Sequence, residues 1–167
     1  MKKRILSALL CLCMVMALMP TVAFAEPTSY NLWVGGVEVT SDNASNITGE
    51  GITGTVTYDD STKTLTLDNV NIDSVYSFYN GVGTDSAGIY VRFDFDGDLT
   101  IKLVGENTIT GKLTDPEEIS GYGFFSTTNL IFDGSGSLNI SAADGKTGAG
   151  NSWSVAIYAN GVVKVGA

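Results

Sequence analysis

Residues 99–110 read LTIKLVGENTIT, and residues 130–141 read LIFDGSGSLNIS. The two stretches align without a gap: each opens with leucine and has a bulky apolar residue at the third position, glycine at the seventh and isoleucine at the eleventh. Apolar residues alternate with polar ones at the start of each stretch, which is the period of a half-buried β-strand. We therefore interpret them as equivalent parts of an internal repeat.

Related stretches extend this repeat in both directions. The strand starts Leu65, Leu99, Leu130 and Val163 lie 34, 31 and 33 residues apart. A period of that size, with short strands and polar turns, predicts an all-β fold made of successive coils of a right-handed parallel β-helix. Short strands at regular spacing also suit a β-sandwich, which is the alternative architecture.

The segment before the repeat has a different pattern. Residues 32–39 predict a hairpin around Gly35 and Gly36, and residues 56–67 predict a second hairpin. We expect residues 26–63 to form an antiparallel cap on the edge of the first coil. Residues 64–167 would form the coils, and because the chain stops before the last coil returns, we expect it to be truncated at its C-terminus.

Residues 1–25 have the features of a secretory signal peptide. A basic start is followed by an apolar run over residues 5–19, and an Ala-Phe-Ala site predicts cleavage before Glu26. The run is too short for a comfortable membrane span, so the mature chain is expected to be extracellular, either free or at the cell surface. Cys11 and Cys13 both fall within the signal, so the mature chain needs no disulfide.

The composition excludes several functions. Three of the nine basic residues lie in the signal, which leaves six against 18 acidic residues, a formal net charge of −12. A nucleic-acid partner is not expected, because binding a polyanion requires a basic surface. The chain has no histidine, so imidazole metal sites and Ser–His or Cys–His catalysis are excluded.

The residue pattern of the repeats also resembles that of a known family. The stretches that carry this resemblance are GIY…GDLTIKLVGENTITG, GYGFF…NLIFDGSGSLNIS and AIYANG, and before them YNLWVGGVEVT and VTYDDSTKTLTLDNVNI. These stretches resemble the secreted carbohydrate-binding-domain proteins of clostridial gut and cellulolytic bacteria. That family is similar to a parallel β-helix protein that binds polygalacturonate and cellulose and holds calcium. The resemblance covers most of residues 30–165 and implies a polysaccharide partner.

A candidate metal site lies in residues 91–98, where the second coil is four residues longer than the others at the same point. Alternation would place Asp94, Asp96 and Asp98 on one side of the chain, where a hard cation would relieve the repulsion between their carboxylates. The sequence thus predicts calcium at these three aspartates. The alternative is a solvated acidic turn in which Asp98 caps the start of the next strand.

Candidate sugar-binding residues come from three stretches predicted to be loops, residues 73–87, 111–122 and 142–155, which a solenoid would place on one flank. Aromatic side chains in these stretches could stack on sugar rings beside hydroxyl-binding carboxylates. The chosen residues are Tyr76, Tyr79, Tyr122 and Trp153. The alternative is that these aromatics hold the loops onto the coils. Tyr90, Phe124, Phe125 and Tyr158 are instead expected to be core or stacking residues.

The resulting functional hypothesis is a secreted carbohydrate-binding protein that recognises a plant cell-wall or other polysaccharide such as pectin, assisted by calcium. One alternative is a structural or adhesive surface protein without glycan specificity. Another is a polysaccharide lyase or hydrolase, because β-helices host both. A lyase needs a strong base, and Arg92 is the one arginine after the signal. No motif selects a catalytic pair among the carboxylates.

Overall fold

The computed structural model describes residues 25–143 and 153–166, and this part of the chain is all-β, as predicted. It forms thirteen strands and no helix, and hence no helix that could span a membrane. The strands are β1 (Ser29–Val34), β2 (Val37–Thr40), β3 (Ile52–Asp59), β4 (Thr64–Ile72), β5 (Tyr76–Tyr79), β6 (Thr84–Val91), β7 (Leu99–Val104), β8 (Glu106–Thr110), β9 (Glu118–Ser126), β10 (Leu130–Gly134), β11 (Ser137–Ser141), β12 (Ser154–Ala159) and β13 (Val163–Val165).

The strands form two curled sheets. Sheet A has the order β12-β9-β6-β1-β2, and β5 pairs with the first half of β6, before the residues of β6 that pair with β1. Sheet B has the order β11-β8-β4-β7-β10-β13, and β3 pairs with β4. In each sheet, the strands that come from the repeats pair in parallel. These are β6, β9 and β12 in sheet A, and β4, β7, β10 and β13 in sheet B.

The parallel pairs bring together residues that align in the sequence. Leu99 pairs with Leu130, and Ile109 pairs with Ile140. One pair differs from the sequence alignment, because Leu65 pairs with Ile101 rather than with Leu99. The shift is two residues, which is one full period of a strand, so the apolar side chains stay on the same face.

Both predicted hairpins are present and antiparallel. Val34 pairs with Val37 across Gly35 and Gly36, which have φ values of 54° and 82°. Two consecutive residues with positive φ match the twist of the adjoining strands, and glycine adopts that conformation without steric cost. The second hairpin pairs β3 with β4.

The stretch at residues 73–87 is not a loop, contrary to the sequence prediction. It contains β5 and the start of β6, which pair antiparallel from Tyr76 opposite Ala87 to Tyr79 opposite Thr84. The aromatic residues that were expected to lie in this loop, Tyr76, Phe78 and Tyr79, are instead side chains of β5. Part of the stretch at residues 142–155 lies outside the described residues.

The main core lies between the two sheets. Strands of sheet B contribute inward residues at every second position, such as Leu99, Ile101 and Leu103 on β7, while Thr100 and Lys102 face away from the core. Strands of sheet A supply the opposite wall, with these members fully buried: Leu32, Val34, Ile89, Val91 and Phe124. Each sheet therefore also has an outer face that points away from this core.

Candidate functional site

A row of aromatic rings crosses the outer face of sheet A. Its members, which we call the aromatic row, are Trp33, Tyr90, Phe125 and Tyr158, and each is the strand partner of the next. The ring centroids of successive members are 5.6, 5.7 and 4.8 Å apart. These distances are typical of stabilising aromatic pairs. The row is thus a continuous stack that runs across four strands.

Exposure increases along the aromatic row. Trp33 and Tyr90 are 6% and 9% exposed, because Tyr76 and Phe78 of β5 cover them. Tyr158, on the outermost strand of the sheet, is 40% exposed. Its ring lies nearly parallel to that of Phe125, at an interplanar angle of 13°. The row therefore ends in the exposed ring of Tyr158, whose orientation is set by stacking on Phe125.

An irregularity in β9 places two of its aromatic rings on the outer face of sheet A. A second cluster, which we call the outer aromatic cluster, packs on this face and consists of Trp33, Tyr76, Phe78, Ala87, Tyr90, Tyr122, Phe125 and Val155. In β9, Tyr122 and Phe125 both belong to this cluster although they are three residues apart, while Phe124 lies in the main core. The alternation of faces therefore breaks once in this strand. Gly123 lies at the break, where an added Cβ would come 2.5 Å from Cγ1 of Ile140. Glycine is required there because the strand passes too close to its neighbour for any side chain.

The structure divides the four predicted sugar-binding residues into two pairs. Tyr76 stacks on Trp33 with centroids 4.8 Å apart, and Tyr122 is 5% exposed within the aromatic cluster. Tyr79 and Trp153 are 72% and 60% exposed. The rings of Tyr79 and Trp153 are consequently open to a ligand, whereas those of Tyr76 and Tyr122 pack against protein.

Trp153 immediately precedes β12, and Tyr158 lies near the end of the same strand. The backbone N–H of Trp153 donates to Oγ of Ser120 at 3.0 Å, which ties this residue to β9. Val155, between the two rings, packs against the outer aromatic cluster. An exposed aromatic ring thus stands at each end of the strand, roughly 15 Å apart at the rise of an extended chain.

The loop at residues 92–98 is held by several contacts. Nε and Nη2 of Arg92 donate to the two carboxylate oxygens of Asp94, both at 2.6 Å, and the guanidinium lies 5.6 Å from the ring centroid of Trp33. This pairing holds the pKa of the Asp94 carboxyl below its usual range. Asp98 accepts a hydrogen bond from Nδ2 of Asn129 at 2.8 Å. The loop is therefore held by its own Arg92–Asp94 pair and by contacts with Trp33 and Asn129 outside it.

The three predicted calcium ligands do not form a cluster in this arrangement. Among residues 25–143 and 153–166, no group of three or more acidic, histidine or cysteine side chains is placed to hold a metal ion. Asp94 is paired with Arg92, and Asp98 with Asn129, so a cation would have to compete with both partners. Calcium binding stays a prediction.

Sequence reasoning missed two buried carboxylates. Glu118, 1% exposed, accepts hydrogen bonds from Oγ of Ser77, from the backbone N–H and Oγ1 of Thr114, and from the backbone N–H of Asp115. Asp85, also 1% exposed, accepts one from Nδ2 of Asn80 at 2.6 Å and others from β9. No local pattern distinguishes these acids from the solvated ones, because their burial depends on contacts across strands.

Comparison with known proteins adds no relative. No protein-family model matches this chain, and no curated protein or solved structure matches it either.

Proposed function

We propose that this chain is a secreted carbohydrate-binding protein that acts by adhesion to a polysaccharide rather than by turnover. One observation carries the proposal: β12 presents two exposed aromatic rings, Trp153 at its start and Tyr158 near its end. A sugar ring has an apolar C–H face that packs on an aromatic face, and its hydroxyls bind nearby polar groups.

The support beneath Tyr158 favours binding. Its ring already stacks on Phe125, which in turn stacks on Tyr90, so its orientation is set before a ligand arrives. A preorganised ring loses little side-chain entropy on binding, which raises affinity. The distance along β12 leaves room for a short run of sugar units between the two rings.

We also propose that the two curled sheets are walls of a right-handed parallel β-helix, in which each successive coil contributes strands to both sheets. The parallel pairing of equivalent segments in both sheets supports this architecture. The right-handed sense follows from the strong preference of parallel crossover connections. Such an architecture repeats the outer face from coil to coil, which suits an extended polymeric ligand.

The experiment is retention of the purified protein on insoluble cellulose, xylan and polygalacturonate. Trp153→Ala and Tyr158→Ala are each expected to weaken retention roughly tenfold, because each loses a stacking contact of about 1 kcal/mol or somewhat more. Phe93→Ala is the matched control for cellulose and xylan: Phe93 is 81% exposed but belongs to neither β12 nor the aromatic row. Retention that neither β12 substitution changes would contradict the proposal.

Calcium assistance is the second part of the proposal. An acidic protein repels an acidic polysaccharide such as pectin unless a divalent ion bridges them. Calorimetric titration with calcium is expected to show uptake that Asp96→Asn weakens and that Asp42→Asn, an exposed aspartate elsewhere, leaves unchanged. Retention on polygalacturonate should then be lost with a chelator. Absence of uptake would remove the predicted site at Asp94, Asp96 and Asp98.

A further inference from the structure

A polar groove lies on the outer face of sheet B, away from the aromatic row. Its volume is about 360 Å³, and it is open to solvent. The turn between β3 and β4, with Asp59 and Thr62, forms one side, and Asp133 of β10 forms the other. Threonines of β4 and β7 line the floor together with Lys102.

Strand register arranges these side chains in two rows. Thr64 pairs with Thr100 in one row. In the other row, Thr66 pairs with Lys102, which pairs with Asp133. Neighbours within a row are about 4.8 Å apart, and the two rows are about 7 Å apart, because alternate residues of a strand point to the same face. The groove is therefore a regular grid of hydrogen-bonding groups.

Two charged groups of this grid, Asp59 and Lys102, differ in how far they are already paired. The carboxylate of Asp59 accepts hydrogen bonds from the backbone N–H and Oγ of Ser61, at 2.9 and 2.7 Å, and these bonds hold its pKa below the usual range. Within the described part of the chain, Lys102 makes no ion pair and no side-chain hydrogen bond, so its ammonium is available as a donor.

The lining selects the chemical class of the ligand. It contains no aromatic or large apolar side chain, which disfavours an apolar ligand. An anionic ligand is also disfavoured, because the lining has two carboxylates, Asp59 and Asp133, and one ammonium, Lys102. The whole chain has a formal net charge of −9, which adds to the repulsion. Hydroxyl groups both donate and accept hydrogen bonds, so a ligand dense in hydroxyls can satisfy threonine, carboxylate and ammonium groups together.

We propose that this groove is a second saccharide site, which takes a neutral sugar unit by its hydroxyls. The proposal rests on the proposed function only for the class of ligand, because the groove and β12 share no residue. Since the outer faces of the two sheets point away from a common core, one molecule would hold two separate glycan segments. The protein would then cross-link polysaccharide chains as well as adhere to them.

The test is an NMR titration of the ¹⁵N-labelled protein with cellohexaose, xylohexaose and mannohexaose. At least one of them is expected to shift the amide signals of Thr66, Thr100 and Lys102. A Thr66→Val and Lys102→Ala double variant should weaken this binding at least roughly tenfold, the factor that 1.4 kcal/mol represents. Lys164→Ala is the matched control, because Lys164 is an exposed lysine of the same sheet outside the groove.

The outcomes separate this proposal from the proposed function. Groove shifts that persist in the Trp153→Ala and Tyr158→Ala variants support a separate second site. Shifts confined to residues around β12 would overturn the groove site and leave the β12 site supported. The absence of shifts with all three sugars would also overturn the groove site, whereas retention on insoluble polysaccharide reports on β12 independently.

Discussion

The side-chain oxygen of Asn107 accepts a hydrogen bond from the backbone N–H of Val70, 37 residues earlier in the chain, at 3.0 Å. The side-chain nitrogen of Asn107 donates to the carbonyl oxygens of Val104 and Ser137, both at 3.1 Å. Asn107 is 2% exposed. One amide group thus joins β4, β8 and β11 at a corner where the backbone leaves its regular pairing.

Asn107→Ala is therefore expected to lower the free energy of unfolding by about 3 kcal/mol, because it leaves buried backbone groups of β4 and β11 without partners. Denaturant unfolding followed by circular dichroism measures the change. Asn139→Ala, at an exposed position of β11, is the control and should change stability by less than about 0.5 kcal/mol. If both substitutions lowered the free energy of unfolding equally, the hydrogen bonds of Asn107 would not be the cause of the loss.

Glu118→Gln is expected to loosen the segment at residues 111–117 together with β5. The carboxylate accepts all of its hydrogen bonds, whereas an amide nitrogen would face the donors of Thr114 or Ser77. The expected loss is about 1–3 kcal/mol, with faster hydrogen exchange in these two segments. The neighbouring substitution Glu117→Gln, at an exposed position, should leave exchange unchanged. If hydrogen exchange in residues 111–117 and β5 were the same in the two variants, Glu118 would not hold these segments together.

The protein is expected to lose stability in alkaline solution through its buried tyrosines. Burial raises the pKa of Tyr58, Tyr90 and Tyr122 above the ordinary value, and Asp60 raises that of Tyr58 further. Because the folded pKa values exceed the unfolded value of about 10, the stabilisation is complete below about pH 10 and is lost as the pH rises toward the folded values.

Thermal unfolding between about pH 8 and 11, with tyrosinate absorbance recorded in parallel, tests this expectation. The unfolding midpoint should fall as the pH rises above about 10. Tyr58→Phe should reduce the fall, because phenylalanine has no phenol to ionise. If the unfolding midpoint of the Tyr58→Phe variant fell with pH as steeply as that of the unmodified protein, the phenol of Tyr58 would not contribute to the fall.

The strand pattern was predictable from local sequence, and the pairing of Leu99 with Leu130 followed from aligning similar segments. The shift at Leu65 was not predictable, because the insertion at residues 92–98 changes where β7 begins relative to β4. The role of β5 was also missed. Its Tyr-Ser-Phe-Tyr sequence is compatible with a loop or a strand, and its pairing with β6 settles the matter.

The candidate site residues were also only partly predictable from the sequence. Trp153 and Tyr79 were chosen by residue type, and both are exposed. Tyr122 was chosen by the same criterion but is buried, because the irregularity at Gly123 places its ring in the outer aromatic cluster. Tyr158 was interpreted as a stacking residue, and it both stacks on Phe125 and remains exposed.

By itself the sequence determined that the chain is all-β, where its hairpins turn, and which segments become strand partners. These properties depend on alternation, glycine placement and residue type, all of which act over a few neighbouring residues. Tertiary structure alone decided which aromatics are exposed, which carboxylates are buried, and that Lys102 joins Thr66 and Asp133 in one groove. Exposure and proximity depend on strand order and register, which bring together residues some 30 positions apart.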